Sequence, residues 1–392
     1  MNYADAQLKS TDRAARFKPG RAPKLREIRL DDYAQLATLT APYGYPPATW
    51  TCEQWRHLWI NNPACLRFGG RFPIGWVLEE ADKRIVGHIA NLPLLYQFEG
   101  QQLLIGDGIS FVVEDEYRGY AMFLADQYWH QKTVDVALGH QSTLAAFKAH
   151  VELGVKAMPL KAWDRKAVWI VSYQGYIADW LGRKKVPAAS LLSYPAALAL
   201  STKDTWNRML LRRRARRDAG IEMCTAFDVR FDRFWDELSA EYPRRFLALR
   251  TRAILEWRFY FALREERIWI ATFSQGGRLR AYAIFLLQKN NRPQDGIRRV
   301  IVADFQSLDR NDSVYYAMLR AALEQSRKSG IHLLVTMGIS ASGTDMSMIA
   351  PHRNPPPQHS TSLYKTRNPQ LSRALESPQA WCPSLYDGDM SL

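Results

Sequence analysis

The feature that most constrains the fold is an order of helix and strand patterns that occurs twice along the chain. In each half, apolar residues at helical spacing precede two long runs with the two-residue period of strands, then a strand that leads into a helix, and then a further strand. The halves share this order without sharing residue identities. We therefore predict an α/β (α+β) fold of two similar domains, each a mixed, mostly antiparallel twisted sheet flanked by helices.

The expected domain boundaries follow from where these patterns begin and end. Residues 1–24 are polar and basic and lack apolar periodicity, so we predict a flexible leader there. The first domain is placed at residues 25–200, and its last strand is expected at Ala167–Tyr173. Residues 201–220 are predicted to form a basic linker helix, and the second domain is placed at residues 221–392.

Composition is typical of a globular protein, with 47% hydrophobic and 23% charged residues. No run approaches the roughly 20 apolar residues that span a bilayer, and the first residues lack the apolar block of a signal peptide, so we expect a cytoplasmic protein. The four cysteines are scattered and no metal-ligand spacing is present, so no metal is predicted. The formal charge of +14 indicates an anionic partner: cofactor phosphates, a carrier protein, a nucleic acid or a membrane surface.

The segment Gly106–Leu124 is the most informative about chemistry, because a strand leads through a short loop directly into a helix. A helix start presents backbone N–H groups, and Arg118 adds a positive charge, so the loop suits a pyrophosphate. The stretch Arg118-Gly119-Tyr120-Ala121-Met122-Phe123 resembles the donor loop of the GNAT acyltransferases, with Ala121 and Phe123 where that family has its loop glycines. The resemblance implies two GNAT-like domains and an acyl-CoA that binds along Phe111, Val112 and Val113 and at this loop.

The same resemblance indicates catalytic residues. In the family, a small helix after the next strand ends at a Gly, often with a Tyr four residues earlier that protonates the departing thiolate. Here Gly154 ends such a helix and His150 occupies the Tyr position. An imidazole with a pKa near 6.5 is able to move this proton at neutral pH. Glu114, just past the strand, and Asp107, within it, are candidate bases for the amine, and a structural role stays open for all three residues.

The second half resembles tandem GNAT proteins in which a helix ends in Leu-x-Trp-Arg-Phe and the chain closes on a Trp-x-Pro-x-x-x-Asp-Gly-Asp signature. The matching stretches are Leu255-Glu-Trp257-Arg258-Phe259 and Trp381-Cys-Pro383-Ser-Leu-Tyr-Asp387-Gly388-Asp389. Its donor-loop position, residues 308–313, contains no glycine, and we expect Asp312 or Ser313 to cap the following helix. The second domain is therefore expected to serve as an acceptor platform, with Asp387 and Asp389 as candidates either for binding an amine or for forming a turn.

An arginine cluster lies near the middle of the chain, at Arg208, Arg212, Arg213, Arg214, Arg216 and Arg217. Such a charge run forms a solvated helix face, docks an acidic acyl carrier protein, or binds the phosphates of a tRNA. The sequence does not decide among these three interpretations.

The activity predicted from these features is that of an N-acyltransferase. It moves an acyl group from a thioester donor, acyl-CoA or acyl carrier protein, to an amine acceptor by direct attack, without a metal. Two alternatives stay open. One is an aminoacyl-tRNA-dependent transferase, which the missing glycines and the arginine cluster favour. The other is a non-catalytic binding protein in which both donor sites have decayed.

Overall fold

The computed structural model describes residues 22–67, 69, 72–142, 144–160, 166–187, 189–215, 220–288, 296–309, 311–337, 346, 350, 352–354, 361–388 and 391–392. Most of the predicted leader, together with Arg216, Arg217 and Asp389, lies outside these described residues. Within them, every helix is too short or too polar to cross a bilayer.

Strands and helices alternate along the chain much as the sequence predicts. The strands are β1 (Lys24–Glu27), β2 (Gly75–Glu79), β3 (Ile85–Phe98), β4 (Gln101–Val113), β5 (Val136–Ser142), β6 (Lys156–Ala157), β7 (Lys166–Ile170), β8 (Ile221–Cys224), β9 (Leu247–Ala248), β10 (Ile268–Gln275), β11 (Arg278–Leu287), β12 (Arg299–Ser307), β13 (Leu333–Met337), β14 (His352–Asn354) and β15 (Thr361–Thr366). The helices are α1 (Tyr33–Thr40), α2 (Cys52–Ile60), α3 (Pro63–Arg67), α4 (Ala121–Trp129), α5 (Leu144–Val151), α6 (Tyr173–Arg183), α7 (Ala189–Lys203), α8 (Thr205–Arg214), α9 (Val229–Glu241), α10 (Arg252–Arg258), α11 (Tyr260–Arg264), α12 (Asp312–Lys328) and α13 (Pro369–Ala374).

The chain divides into two compact units. The first contains the described residues up to Leu94, together with Leu104–Ala157 and Ser362–Asn368. Its sheet has the strand order β1-β2-β3-β4-β5-β15-β6. The β2–β3 hairpin turns at Lys83, which has a positive φ of 74°. β4 and β5 are parallel, whereas β1, β2 and β3 pair antiparallel, so the sheet is mixed.

The second unit contains Leu95–Leu103, Met158–Thr361 and Pro369–Leu392. Its sheet has the order β14-β7-β13-β12-β11-β10-β8, with one parallel pair between β12 and β13. The β10–β11 hairpin turns through Gly276 and Gly277, both at positive φ, as the commonest two-residue hairpin turn requires. The core forms where buried apolar side chains of α12 pack against strands of this sheet. It includes Phe285, Val300, Tyr315, Met318, Leu319 and Ala322. Two mixed sheets with flanking helices confirm the predicted fold class.

Two strands lie in places that the sequence analysis did not predict. The strand expected to close the first domain, β7, pairs with β13 in the second sheet instead. Conversely, β15 comes from the part of the chain that the sequence analysis assigned to the second domain, and it lies between β5 and β6 in the first sheet. Periodicity identifies a strand from its own residues, but its neighbour is selected by long-range pairing, which a local pattern does not contain.

The predicted linker helix also differs from the structure. Residues 189–214 form two helices, α7 and α8, which are separated at Asp204. The buried Asp204 carboxylate accepts a hydrogen bond from the Tyr173 hydroxyl at 2.6 Å and lies 2.7 Å from His352 Nε2. A tertiary contact therefore fixes the junction that helix propensity alone would have bridged.

Candidate active site

The site is built around the point where β4 and β5 stop pairing. Their parallel register runs from Ile105↔Val136 to Gly108↔Gly139, and among the described residues it ends there. The Tyr128 hydroxyl on α4 donates to the carbonyl oxygens of Gly106 and Leu138, which ties the two strands together just before they separate. A Cβ at Gly108 would lie 3.0 Å from the Tyr128 ring, so glycine is what allows this aromatic residue to pack directly on the strand.

Beyond that point β4 has a kink at Ser110, whose φ is +58°. Positive φ is uncommon for residues other than glycine and stores strain that clusters at functional sites. The Ser110 hydroxyl donates to the carbonyl of Pro46, so the loop after α1 holds the kink in place. A kink of this kind redirects a backbone N–H away from the regular ladder, into a position where a bound carbonyl oxygen can accept it.

After the kink, the chain leaves β4 at Glu114 and forms a 3₁₀ turn, Asp115–Tyr120, before α4 begins. Arg118 in this turn is half exposed and pairs with Asp115 at 2.7 Å. Tyr120 precedes α4 without capping it through its side chain. Phe123, at the position of a family glycine, is 60% exposed, so its ring is not packed into the fold. The turn thus brings the predicted Arg118–Phe123 residues to the surface at a helix start.

Glu114 has a defined partner in the structure. Both of its carboxylate oxygens lie within 2.9 Å of Arg84 Nη1, and this contact raises the pKa of the Arg84 guanidinium. The remaining predicted contacts for a donor chain, Phe111, Val112 and Val113, are buried or half-buried at the end of β4. The arrangement favours Glu114 as an anchor of the loop over Glu114 as a free base.

His150 on α5 is 6% exposed and lies between two aromatic rings. Its ring centroid is 6.2 Å from that of Phe111 and 5.6 Å from that of Trp129. Burial lowers the pKa of His150, so the imidazole is neutral at neutral pH. Its Nδ1 is buried and has no hydrogen-bond partner among the described residues. A ligand that reaches this imidazole would therefore meet one unsatisfied ring nitrogen.

Asp107 on β4 is fully buried and faces a residue that the sequence analysis missed, His140 on β5. His140 Nε2 lies 3.4 Å from Asp107 Oδ1, and His140 Nδ1 lies 3.4 Å from the hydroxyl of Ser362 on β15. Exposure increases along this series, because Asp107 has none, the His140 side chain has 7% and Ser362 is half-buried. The series connects a buried carboxylate to the surface of the first unit, and contacts of this length often tighten when substrate binds.

In the second unit the two signature motifs contact each other. Arg258, from the helix motif, donates to the Gly388 carbonyl and to Ser391 Oγ. Asp387 accepts from Arg250 at 2.9 and 3.0 Å and is almost completely buried. These partners give Asp387 a structural role, which is the second of the two roles that the sequence left open. Asp389 lies outside the described residues.

The helix start of α12, which corresponds to the second donor loop, is capped by the protein itself. Asn311 Oδ1 accepts from the backbone N–H of Ser313 at 2.9 Å and from its hydroxyl at 2.6 Å. The expected caps, Asp312 and Ser313, were therefore one or two positions too late, because both lie inside the helix. A helix start that is already capped and lacks glycine is poorly suited to a pyrophosphate.

The remaining predicted sites are described only in part. Arg212, Arg213 and Arg214 are exposed in the last turn of α8, whereas Arg216 and Arg217 lie outside the described residues. Over the part of the chain that the structure describes, no three His, Cys, Asp or Glu side chains are grouped so that they could hold a metal ion.

Comparison with known proteins identifies the fold. The sequence matches no protein-family model and no curated protein. Solved structures do match. N-myristoyltransferase from Saccharomyces cerevisiae with bound myristoyl-CoA and inhibitors has a TM-score of 0.51 and 11% identity, over 92% of this chain and 86% of that one. A probable N-acyltransferase from Enterococcus faecalis V583 has a TM-score of 0.50 and 9% identity, over 88% and 73%.

A third similar structure is a GCN5-related N-acetyltransferase from Kribbella flavida, with a TM-score of 0.50 and 12% identity, over 88% of this chain and 70% of that one. All three resemble this chain along most of its length, at identities that establish architecture alone. The matches therefore include both units and their order, as the sequence resemblance implied. This chain has the GNAT fold of the N-acetyltransferases and N-myristoyltransferases.

Proposed function

We propose that this protein is an N-acyltransferase that transfers an acyl group from a thioester donor to an amine by direct attack. The observation that carries the proposal is the order of three structural features along β4. The pairing with β5 ends, the strand kinks at Ser110, and a turn then leads to the start of α4. This geometry offers an extended strand edge for a pantetheine arm and a helix start for phosphates. The fold likeness to acyltransferases supports it.

The proposed acyl donor is acyl-CoA. Its pantetheine lies along Phe111–Val113. Its pyrophosphate accepts hydrogen bonds from the Arg118 guanidinium and from backbone N–H groups between Arg118 and Phe123. Phe123 is exposed, so its ring is accessible to the nucleotide base of the bound donor. The structures that match this fold include one with bound myristoyl-CoA, which supports the choice of a CoA thioester.

In the proposed reaction, the acceptor nitrogen forms a bond to the thioester carbonyl carbon and the carbon–sulfur bond breaks. A backbone N–H near the Ser110 kink stabilises the negative charge on the carbonyl oxygen. The proton of the attacking amine passes to His140 through the Ser362 hydroxyl, while Asp107 orients the imidazole and stabilises its charged form. In this scheme Asp107 acts through His140, and does not itself contact the amine.

His150 is the proposed proton donor to the departing thiolate. Burial keeps its imidazole neutral before the acyl donor binds, because the pKa is lowered. Negative charge that develops on sulfur beside the ring favours protonation, so His150 takes up a proton from solvent and delivers it within the bound complex. The rings of Trp129 and Phe111 pack against the imidazole and hold it in place for this step.

Native mass spectrometry of the full chain, mixed with acetyl-CoA and with longer acyl-CoAs, tests the donor assignment. We expect a retained acyl-CoA for the wild type and at least roughly tenfold weaker retention for Arg118→Glu, because the substitution reverses a charge at the phosphate site. Arg320→Glu is the matched control, since Arg320 is also a half-exposed arginine on a helix with an acidic partner. Equal retention by Arg118→Glu and the wild type contradicts the assignment.

A second candidate donor is a loaded carrier protein or an aminoacyl-tRNA, which the exposed Arg212, Arg213 and Arg214 favour. The binding experiment with acyl-CoAs, extended by a transfer assay with a charged tRNA and a loaded carrier protein, distinguishes the candidate donors. A protein that binds no acyl-CoA but transfers an acyl group from the tRNA or the carrier belongs to this second class. A protein that uses none of the three donors is the non-catalytic binding protein of the third alternative.

A further inference from the structure

An exposed apolar stripe lies along α7 in the second unit. Leu191, Tyr194 and Leu198 recur at spacings of three and four residues, which places them on one side of the helix. They are 71%, 61% and 67% exposed, and Leu192, the next residue along the chain after Leu191, is 50% exposed. The opposite side of the helix is inside the unit, because Ser193 is fully buried there. Large side chains grouped in this way on a surface mark an interaction site.

The helices on either side of α7 along the chain extend the same apolar character. Trp180 on α6 is 48% exposed, and Trp206 and Met209 on α8 are 62% and 43% exposed. Tryptophan and tyrosine prefer the boundary between water and the acyl chains of a lipid bilayer. We use the name apolar face for the seven exposed apolar side chains of these three helices: Trp180, Leu191, Leu192, Tyr194, Leu198, Trp206 and Met209.

The charged residues in the sequence of these three helices are almost all positive. Residues 173–214 contain eight Lys and Arg residues, namely Arg183, Lys184, Lys185, Lys203, Arg208, Arg212, Arg213 and Arg214. The only acidic residues in the segment are Asp179 and Asp204. Asp179 pairs with Arg183 at 2.5 Å, and Asp204 is buried against Tyr173 and His352. The accessible charge at the ends of α6, α7 and α8 is therefore cationic.

We propose that the apolar face binds the surface of an anionic lipid bilayer, with α7 lying in the plane of the interface. The combination of aliphatic side chains with flanking lysine and arginine is what such a surface requires, because apolar insertion and attraction to lipid phosphates add together. A nucleic acid would use the cations and stack on aromatic rings, but it would gain nothing from Leu191, Leu192 and Leu198. The lipid surface accounts for both halves of the pattern.

The test uses the full chain and sedimentation with vesicles. Vesicles of equal parts phosphatidylcholine and phosphatidylglycerol should bind the wild type, whereas vesicles of phosphatidylcholine alone should bind it at least roughly tenfold more weakly, since the cations then lack anionic partners. The double variant Leu191→Glu/Leu198→Glu should lose binding to the anionic vesicles. Leu66→Glu on α3 is the control, because Leu66 is equally exposed, at 69%, and lies in the other unit.

The charged part of the proposal has its own variant, Arg212→Glu/Arg213→Glu/Arg214→Glu, which should also lose binding to anionic vesicles and should leave the secondary-structure content unchanged. Three results would overturn the proposal. The first is binding to tRNA that depends on these arginines and not on Leu191 and Leu198, with no binding to vesicles. The second is a dimer that the leucine variant dissociates, again without vesicle binding. The third is equal binding to both kinds of vesicle.

Discussion

His88 on β3 is completely buried, and neither of its ring nitrogens has a hydrogen-bond partner among the described residues. Burial lowers the pKa of this imidazole to about 3, because the charged form would have to leave water. In the unfolded chain the same group titrates near 6.5. The unfolded state therefore binds a proton first as the pH falls, and the folded state loses stability between about pH 6.5 and 3.

Replacing His88 by Leu should remove this pH dependence. Between pH 7 and pH 5 the wild type should lose about 2 kcal/mol more of its free energy of unfolding than His88→Leu, from one proton bound by the unfolded state. Urea unfolding at both pH values measures the difference. Equal losses in the two proteins would mean that His88 is protonated in the folded state as readily as in the unfolded chain.

His140 is the residue on which the proposed proton path depends. His140→Gln keeps an amide near Asp107 but removes the group that accepts a proton, so kcat for amine acylation should fall by roughly 10²- to 10⁴-fold while the KM for the acyl donor is unchanged. Steady-state kinetics measure both quantities. The control is His130→Gln, since His130 also contacts a carboxylate, Asp126 at 2.9 Å, but on the surface. A rise in KM without a fall in kcat would assign His140 to binding.

The candidate residues show what the sequence can and cannot provide at this scale. Arg118 and its neighbours became candidates because a strand, a turn and a helix start are adjacent in the chain, and the structure has these elements in that order. His140 was not among the sequence candidates because its contact with Asp107 depends on β4 and β5 being parallel neighbours in one particular register. No local pattern contains that register. The roles of Asp107, His140 and His150 stay predictions until they are measured.

Among the elements, α4 and the β4–β5 pair act together. Tyr128 bridges the two strands through its hydroxyl, and Gly108 opposite its ring allows this close approach. The sequence predicted both strands and the helix, since each has a clear period of its own. It did not predict that β15 would be the other neighbour of β5, because the pairing partner comes from a distant part of the chain.

Adding one methyl group at this contact tests its tightness. Gly108→Ala places a Cβ 3.0 Å from the Tyr128 ring, which is fully buried, so we expect the free energy of unfolding to fall by about 1–3 kcal/mol. Gly182→Ala on α6 is the control, since a Cβ there meets nothing within 4 Å. That substitution should stabilise the protein by roughly 0.5–1 kcal/mol through helix propensity. Urea unfolding would reveal a loose contact if the two variants behaved alike.

At the scale of the whole molecule, the second unit is held together by a buried ionic network. Arg250 is completely buried and binds Asp304 at 2.8 Å and Asp387 at 2.9 Å, so one side chain connects three remote parts of the sequence. Tyr282 and Ser384 complete the network by donating to Asp304. Burial raises the pKa of Asp387, and Arg250 opposes that rise.

Removing the central cation, Arg250, should cause a large loss of stability. Arg250→Met leaves two buried carboxylates without their cation, so we expect a loss of about 3–5 kcal/mol of stability, provided that enough folded protein is obtained to measure. Arg252→Met, two residues away and 44% exposed, should change stability by less than about 1 kcal/mol. Thermal unfolding of the two variants makes the comparison. A small effect of Arg250→Met would mean that the network contributes little net stability.

The position of β15 in the first sheet has a consequence for folding during synthesis. A ribosome releases the chain from its N-terminus, so β5 emerges long before residues 361–366 do. Throughout that interval β5 has an unpaired edge, and an unpaired edge is open to pairing with other nascent chains. The sheet that carries the candidate site is therefore completed only late in translation. The yield of folded protein in cells should depend on chaperones that cover the unpaired edge of β5 during that time.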